Sequence, residues 1–368
     1  DAVTNGIVTT NRALKWNVGN DFTVNAAVFS HGTTTIDAQN VKLSADLMSD
    51  KNLTITAKNN IFTKEGTNLS TKADGRLKAH SAILDGDVRA DGMLTIETDD
   101  KLTANNITAG NATLKAGAEL SAKNVNVNGD ANIAAGTQLT AQNVTTGGNT
   151  TLNAGTQLTA QNVTAKGDAV LRAGADLKTL NVAAGKDAAL TAEKNVSVHD
   201  VMAGGNVSLT AGHDAAIDGA VKTGDSAILT AKHDAVIGGA VTAGGDFSAD
   251  TGNDLIVNGA GTVQKNLTLH TGNDLTLNGA ALSHGMMEID AGHDAAFNGS
   301  LTSDKNLSII AKNNITVKEG ADLYTKADGQ IKAHTATLGG NVKTDGTLTI
   351  GTEEQLTATN VTAGKDAV

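Results

Sequence analysis

A repeat of 19 residues constrains this chain more than any other feature. Residues 139–157 read LTAQNVTTGGNTTLNAGTQ, and residues 158–176 read LTAQNVTAKGDAVLRAGAD. Starting from Phe22, the unit recurs at Val41, Ile61, Ile83, Leu102, Leu120, Leu139, Leu158, Leu177, Val196, Ala215, Ala235, Leu255, Leu275, Ala295, Ile315, Thr337 and Leu356, a spacing of 18 to 22 residues. Periods in this range mark repeat architectures, in which one unit cannot bury its apolar face alone and stacking encloses a shared core.

Apolar and polar residues alternate within a unit, as at Leu139, Ala141, Val144, Leu152 and Ala154, which is the periodicity of strands. The pairs Gly147-Gly148, Gly167-Asp168, Asn258-Gly259 and Asn278-Gly279 separate the runs, and residues of these types predict turns at positive φ. Each unit therefore reads as two or three short strands, and stacking at about 4.8 Å gives a parallel β-helix. Its inward columns hold Leu, Val, Ile and Ala, with Phe22 and Phe297 also facing inward. The 368 residues include no proline. That suits strands paired on both edges, where proline would cost a ladder bond almost anywhere. The absence of cysteine excludes disulfides, thiolate zinc sites and thiol catalysis.

A longer period overlies the first. Residues 49–110 and 303–364 match at an offset of 254, with 40 of 62 positions identical, and residues 16–32 align with 269–285 at an offset of 253. Thirteen coils separate the two copies, 13–115 and 266–368. Block duplication is easily accommodated where each coil touches only its neighbours.

The net charge of −11, with Arg12, Arg76, Arg89 and Arg172 as the only arginines, argues against nucleic acid and anionic membrane surfaces as partners. No apolar run reaches membrane-spanning length, so no stable membrane insertion is expected. The first residues lack the pattern of a signal peptide, and the chain reads as an internal piece of something longer.

Coils of the form LTAxNVTAGxxxxLxAGxx, with AGHDAA (211–216, 291–296), TGNDLTLNG (271–279) and AKNN (57–60, 311–314), resemble the filamentous haemagglutinin repeats of large bacterial exoproteins. That family includes haemagglutinin-type adhesins, related haemolysins and the stalks of contact-dependent growth-inhibition toxins. The resemblance covers essentially the whole chain. It implies two-partner secretion through an outer-membrane transporter and display as a right-handed β-helical filament outside a Gram-negative cell. The family's secretion domain carries Asn-Pro motifs, absent from a proline-free chain, so the transporter would engage a domain not contained in this sequence. The lack of cysteine is compatible with threading an unfolded chain through a pore.

The resulting fold expectation is all-β: a single right-handed parallel β-helix (solenoid) domain, 1–368, of about 18 coils. The expected function is the structural shaft of a secreted, cell-surface exoprotein that displays an adhesive or toxic module. An alternative is that the segment is itself an adhesin for a host or bacterial cell-surface receptor of glycan or protein. A remoter one is a polysaccharide-cleaving β-helix. Such an enzyme needs irregular loops that build a cleft, whereas coil lengths vary by only a few residues and the arginines are scattered, so the expectation is no enzyme, no cofactor and no catalytic residues.

Several constellations bear on a site. His213-Asp214 and His233-Asp234 recur in adjacent coils and continue as Asn253-Asp254, Asn273-Asp274 and His293-Asp294. Imidazole and carboxylate at strand spacing are competent for a metal ladder, but Asn, Asp and His also favour turns at positive φ, and the turn reading is preferred, with no metal expected. Asp99-Asp100 beside Glu97, and Glu353-Glu354, read as solvated turns rather than calcium sites. Sequons such as Asn143-Val144-Thr145 read as a turn followed by a strand, copied with each coil. The two longest coils place an apparent insertion around Lys72-Ala73-Asp74-Gly75 and Lys326-Ala327-Asp328-Gly329. Insertions in solenoids map to one face, so Lys72, Asp74, Lys326 and Asp328 are the expected contact residues.

Overall fold

A computed structural model describes residues 1–368. The chain is all-β, with 43 strands, no helix and about 19 turns of a parallel β-solenoid. No helix is long and apolar enough to cross a membrane. The residues group into two compact units, Asp1–Leu180 and Asn181–Val368. Within each unit every strand pairs in parallel with the equivalent strand one turn away. In unit 1, Leu120 lies beside Leu139 and Leu139 beside Leu158. In unit 2, Ala215, Ala235, Leu255 and Leu275 form the same kind of column.

A representative turn in unit 2 has three strands, Ala215–Ile217, Val221–Thr223 and Ala227–Ala231, joined at three corners. Alternate residues face inward, so Ala215, Ile217, Val221, Ala227, Leu229 and Ala231 are all buried. Phe22 and Phe297 lie inward, at 1% and 0% exposure. The core also holds a polar column absent from the sequence expectation. Buried hydroxyls mark the corner after the second strand, among them Ser30, Ser49 and Thr71 in unit 1 and Ser283, Ser303 and Thr325 in unit 2. They are tolerated because they bond to carbonyls: Ser49 donates to Gly32 O at 2.9 Å and Ser303 to Gly285 O at 2.9 Å.

The register corrects four expectations. One turn precedes Phe22, because Ala2, Val3 and Thr4 pair with Phe22, Thr23 and Val24. Ile83 and Thr337 do not begin coils. Ala82 pairs with Ile61 and with Leu102, while Ala336 pairs with Ile315 and with Leu356. Ile83 is 48% exposed against 2% for Ala82, so the coil that starts at Ile61 is followed by the next start after 21 residues, not 22. The insertion also moves. Leu69 and Gly75 pair with Leu47 and Leu53, so the corner holding Lys72 and Asp74 has ordinary length. The two extra residues lie between Ile61 and Leu69, at Lys64-Glu65-Gly66, and in unit 2 at Lys318-Glu319-Gly320. Thr67 N donates to Lys64 O at 3.1 Å with Gly66 at φ 78°, the pattern of a type II turn, and Gly320 repeats it at 81°.

Those two glycines are the only residues at positive φ. The other turn glycines answer a different constraint, which is the backbone of the turn below. A β-carbon at Gly147 would sit 2.0 Å from Asn128 O, and one at Gly259 would sit 2.0 Å from Gly239 O. Glycine is required there by close stacking, not by handedness of the backbone.

Register and burial predict paired outcomes. Ala82→Asp buries an unpaired charge and should cost about 3–5 kcal/mol, while Ile83→Asp should stay within about 0.5 kcal/mol. Leu158→Asp and Thr159→Asp should split the same way, since Leu158 is fully buried and Thr159 is not. Urea melts of the four variants check this, and equal losses within either pair would mean the inward column is misassigned.

Candidate functional site

The corner after the second strand carries the same three titratable side chains in both units. In unit 1, His31 Nδ1 lies 2.7 Å from Asp50 Oδ2, and Lys72 Nζ lies 2.8 Å from Asp50 Oδ1. In unit 2, His284 Nδ1 and Lys326 Nζ each lie 2.7 Å from the two oxygens of Asp304. Three consecutive turns supply one residue each, at the same rung of the ladder. Asp50 N donates to Ser30 O and Lys72 N to Ser49 O, with Asp304 N to Ser283 O and Lys326 N to Ser303 O as their counterparts. The buried hydroxyl preceding each residue anchors the corner, so the three side chains emerge side by side.

Each aspartate is flanked by two donors. Hydrogen bonds from His31 and then Lys72 hold the Asp50 carboxyl below its ordinary value, and His284 and Lys326 do the same to Asp304. Asp50 raises Lys72 in return, and Asp304 raises Lys326. The flanks differ between the copies. Phe29, Met48, Ser70 and Arg89 in unit 1 stand where unit 2 has Leu282, Thr302, Tyr324 and Lys343. Tyr324 donates to Asp345 Oδ2 at 2.8 Å, which holds its phenol above the usual range, and Lys343 Nζ lies 5.1 Å from its ring centre.

Shallow depressions adjoin these corners. One of about 400 Å³ in unit 1 is lined by Phe29, His31, Met48, Asp50, Lys72 and Arg89, and a neighbour of about 670 Å³ runs over Asn68, Asp87, Asn106 and Asn124. In unit 2 a depression of about 420 Å³ is bordered by Tyr324, Asn341, Lys343 and Asn360. Their surfaces offer paired charges and amides suited to polar recognition. Ser30 and Ser49 are buried with their hydroxyls turned to carbonyls, so the corner itself assembles no nucleophile and base.

The structure thus places Lys72 and Lys326 in these clusters and Asp74 and Asp328 elsewhere. Asp74 Oδ1 accepts from Met93 N at 2.8 Å, and Asp328 Oδ1 accepts from Thr347 N at 2.8 Å, so each holds the backbone of the next turn. His31, Asp50, His284 and Asp304 escaped the sequence reading. The available signal was their recurrence at offsets of 253 and 254.

The His-Asp column of unit 2 is not a run of positive-φ turns. It is a ladder in which each Asp Oδ1 accepts the backbone N–H of the residue one turn on, at 3.2 Å for Asp234 N to Asp214 and 3.1 Å for Asp254, Asp274 and Asp294 N. The preceding side chain adds a second bond. Asn253 Nδ2 donates to Asp234 at 2.7 Å and Asn273 Nδ2 to Asp254 at 2.7 Å, while His233 and His293 approach Asp214 and Asp274 at 3.0 and 2.9 Å. Two groups of three potential donor atoms result: His213, Asp214 and His233, and Asp274, His293 and Asp294. Burial opposes ionisation of Asp214, but the Asp234 N–H and both imidazoles outweigh it and hold its carboxyl low. Asp214 raises His233, and Asp274 raises His293.

The remaining acidic pairs disperse. Glu97 bonds Arg76 at 3.0 Å instead of joining Asp99 and Asp100, and Glu353 and Glu354 flank His334 at 3.1 and 3.4 Å. The sequon residue Asn143 belongs to an amide ladder, donating to Asn124 at 3.0 Å and accepting from Asn162 at 2.9 Å.

No family model, curated protein or solved structure matches the chain.

Asp50 should titrate below 3.8, its ordinary value, because its partners favour the charged form. Any stability it contributes is present above the unfolded pKa and is lost as pH falls through the depressed one. Carboxyl-carbon NMR titration should show the Asp50 midpoint moving up in Lys72→Ala and further in His31→Ala/Lys72→Ala. An unmoved midpoint would mean the cluster is not formed in solution.

Proposed function

We propose that the chain is part of the structural shaft of a secreted, cell-surface filamentous exoprotein, holding an adhesive or toxic module supplied by other parts of its parent. The observation that carries this reading is the unbroken parallel register within each unit, where turn length changes by only a few residues and no long loop projects. Such a stack has nearest-neighbour energetics, so turns can be added or removed with little effect on the rest. Its backbone ladders and thin apolar core resist bending and local opening. The resemblance of the coils to filamentous haemagglutinin repeats supports export through an outer-membrane two-partner-secretion transporter and a location outside a Gram-negative cell. The absence of cysteine suits passage of an unfolded chain.

A second reading, in which the segment is itself an adhesin, draws on the duplicated corners. The His-Asp-Lys cluster stands in both copies of a block whose flanking residues have changed; in unit 1 its three side chains line a depression of about 400 Å³, and in unit 2 a depression of about 420 Å³ is bordered by Tyr324 and Lys343 of the flank.

Two measurements separate these readings. Deleting residues 139–157 joins Gln138 to Leu158 and restores the sequence Gln-Leu-Thr-Ala, removing one turn of unit 1. A shaft of interchangeable turns should keep its circular dichroism spectrum and a Tm within about 4 °C of the parent, corresponding to about 1 kcal/mol. Loss of cooperative unfolding would contradict interchangeability. Labelled protein added to whole eukaryotic and bacterial cells should give no saturable signal on the shaft reading. Saturable binding that is abolished by His31→Ala/Lys72→Ala together with His284→Ala/Lys326→Ala would establish the adhesin instead.

A further inference from the structure

We propose that His213, Asp214 and His233 form a binding site for a divalent transition cation of the zinc type. The three side chains come from two adjacent turns of unit 2, and the backbone ladder fixes their spacing, with His233 N donating to His213 O at 3.1 Å and Asp234 N to Asp214 Oδ1 at 3.2 Å. His213 Nδ1 and His233 Nδ1 each lie 3.0 Å from Asp214 Oδ1, and His233 Nδ1 lies 3.3 Å from Asp234 Oδ2. A tetrahedral zinc with bonds of about 2.0–2.1 Å has ligand atoms roughly 3.3 Å apart, so the separation of each imidazole from Asp214 is close to an edge of its coordination polyhedron, with water left to complete the shell.

A second observation points to a ligand independently. Asp214 Oδ1 faces three nitrogens at hydrogen-bond distance, the two imidazole Nδ1 atoms and the Asp234 backbone N–H. One carboxylate oxygen has two lone pairs, so three donors oversubscribe it. The two rings stack with centroids 4.6 Å apart and planes 22° from parallel, which turns both Nδ1 atoms to the same oxygen. Unless both carry a proton there, a ring lone pair opposes the carboxylate. A single cation in place of the two protons satisfies both rings and the carboxylate together.

The donor set selects the class of ion. Two imidazoles and a carboxylate suit zinc, cobalt or nickel, whereas calcium requires six to eight oxygens and magnesium an octahedral oxygen shell. Side-chain exposures of 57%, 47% and 47% leave the position open to entry and to completing waters. The rest of the ladder shows why only this place qualifies. One turn on, Asn253 preserves the hydrogen bond to Asp234 but brings an amide, a poor metal donor. At Asp274, His293 and Asp294 there is one imidazole, and its Nε2 is 3.2 Å from Asn313 Nδ2.

The test is titration of the intact chain with CoCl2 and ZnCl2 at pH 7.5, followed by visible absorption and calorimetry. The expected result is one equivalent of cobalt with the intense visible bands of tetrahedral coordination, displaced by zinc and retained in excess CaCl2. His213→Asn/His233→Asn should bind at least about tenfold more weakly, since losing even an outer-shell partner of a metal ligand costs about that much. Asn preserves the ladder bond, as Asn253 does, so this variant is expected to remain folded, with circular dichroism as the control. His293→Ala should bind as the parent does. Absence of stoichiometric cobalt binding, displacement by calcium, or equal binding by the double variant would overturn the assignment.

Discussion

The parallel backbone ladder is the constraint on which everything else in each unit depends. A residue lies directly beside its equivalent 18 to 22 positions earlier, at the strand spacing of about 4.8 Å, and that proximity acts on every position. It makes proline intolerable across the strands. It sets glycine where a carbonyl from the turn below occupies the space of a β-carbon, as at Gly147 and Gly259. It also lets an Asn or Asp at a corner accept the next turn's N–H, as Asp74, Asp214 and Asp328 do, which satisfies backbone groups that the corners would otherwise leave unpaired.

The same constraint explains which parts of the molecule were legible from sequence. Period and alternation were enough for the solenoid and its inward columns, because burial on one face leaves a period-two trace in every coil. Register failed at Ile83, where hydrophobicity favoured isoleucine over its neighbour. The period itself contained the answer, since Ala82 and Leu84 alternate as Leu102 and Ala104 do, and all four are buried. The extra residues were misplaced because coil length counts them without saying which corner took them. Only the pairing of Leu69 with Leu47 and of Gly75 with Leu53 locates them at Gly66. The polar core column was illegible for a different reason: a buried serine and an exposed one look alike until the carbonyl that accepts its hydroxyl is known.

The candidate sites divide along the same line. Lys72 and Lys326 were singled out by their place in long coils, a premise the register overturns, yet they join clusters with His31, Asp50, His284 and Asp304. Sequence distance concealed those partners, since His31 and Lys72 are 41 residues apart and reach the same carboxylate, Asp50, from the turns on either side of it. Asp74 and Asp328 lie two residues from Lys72 and Lys326 but serve the backbone. A corner therefore alternates between side chains committed to the next turn and side chains released to solvent, and adjacency in sequence does not decide which is which.

A ladder that repeats side chains at fixed spacing is also a device for bringing like groups together, and this carries an electrostatic cost. Stacked aspartates repel unless each is offered a donor. The Asn and His residues of unit 2 meet that need in alternate ways: an amide donates and stays neutral, whereas an imidazole can donate, take a second proton, or give up its proton and bind a metal through the freed nitrogen. Exchanging Asn for His at this position leaves the backbone bonds of the ladder unchanged, because they run through the aspartate. Chemistry can therefore vary from turn to turn on a frame that does not vary, and a sequence whose folding depends on uniformity can still carry a local site.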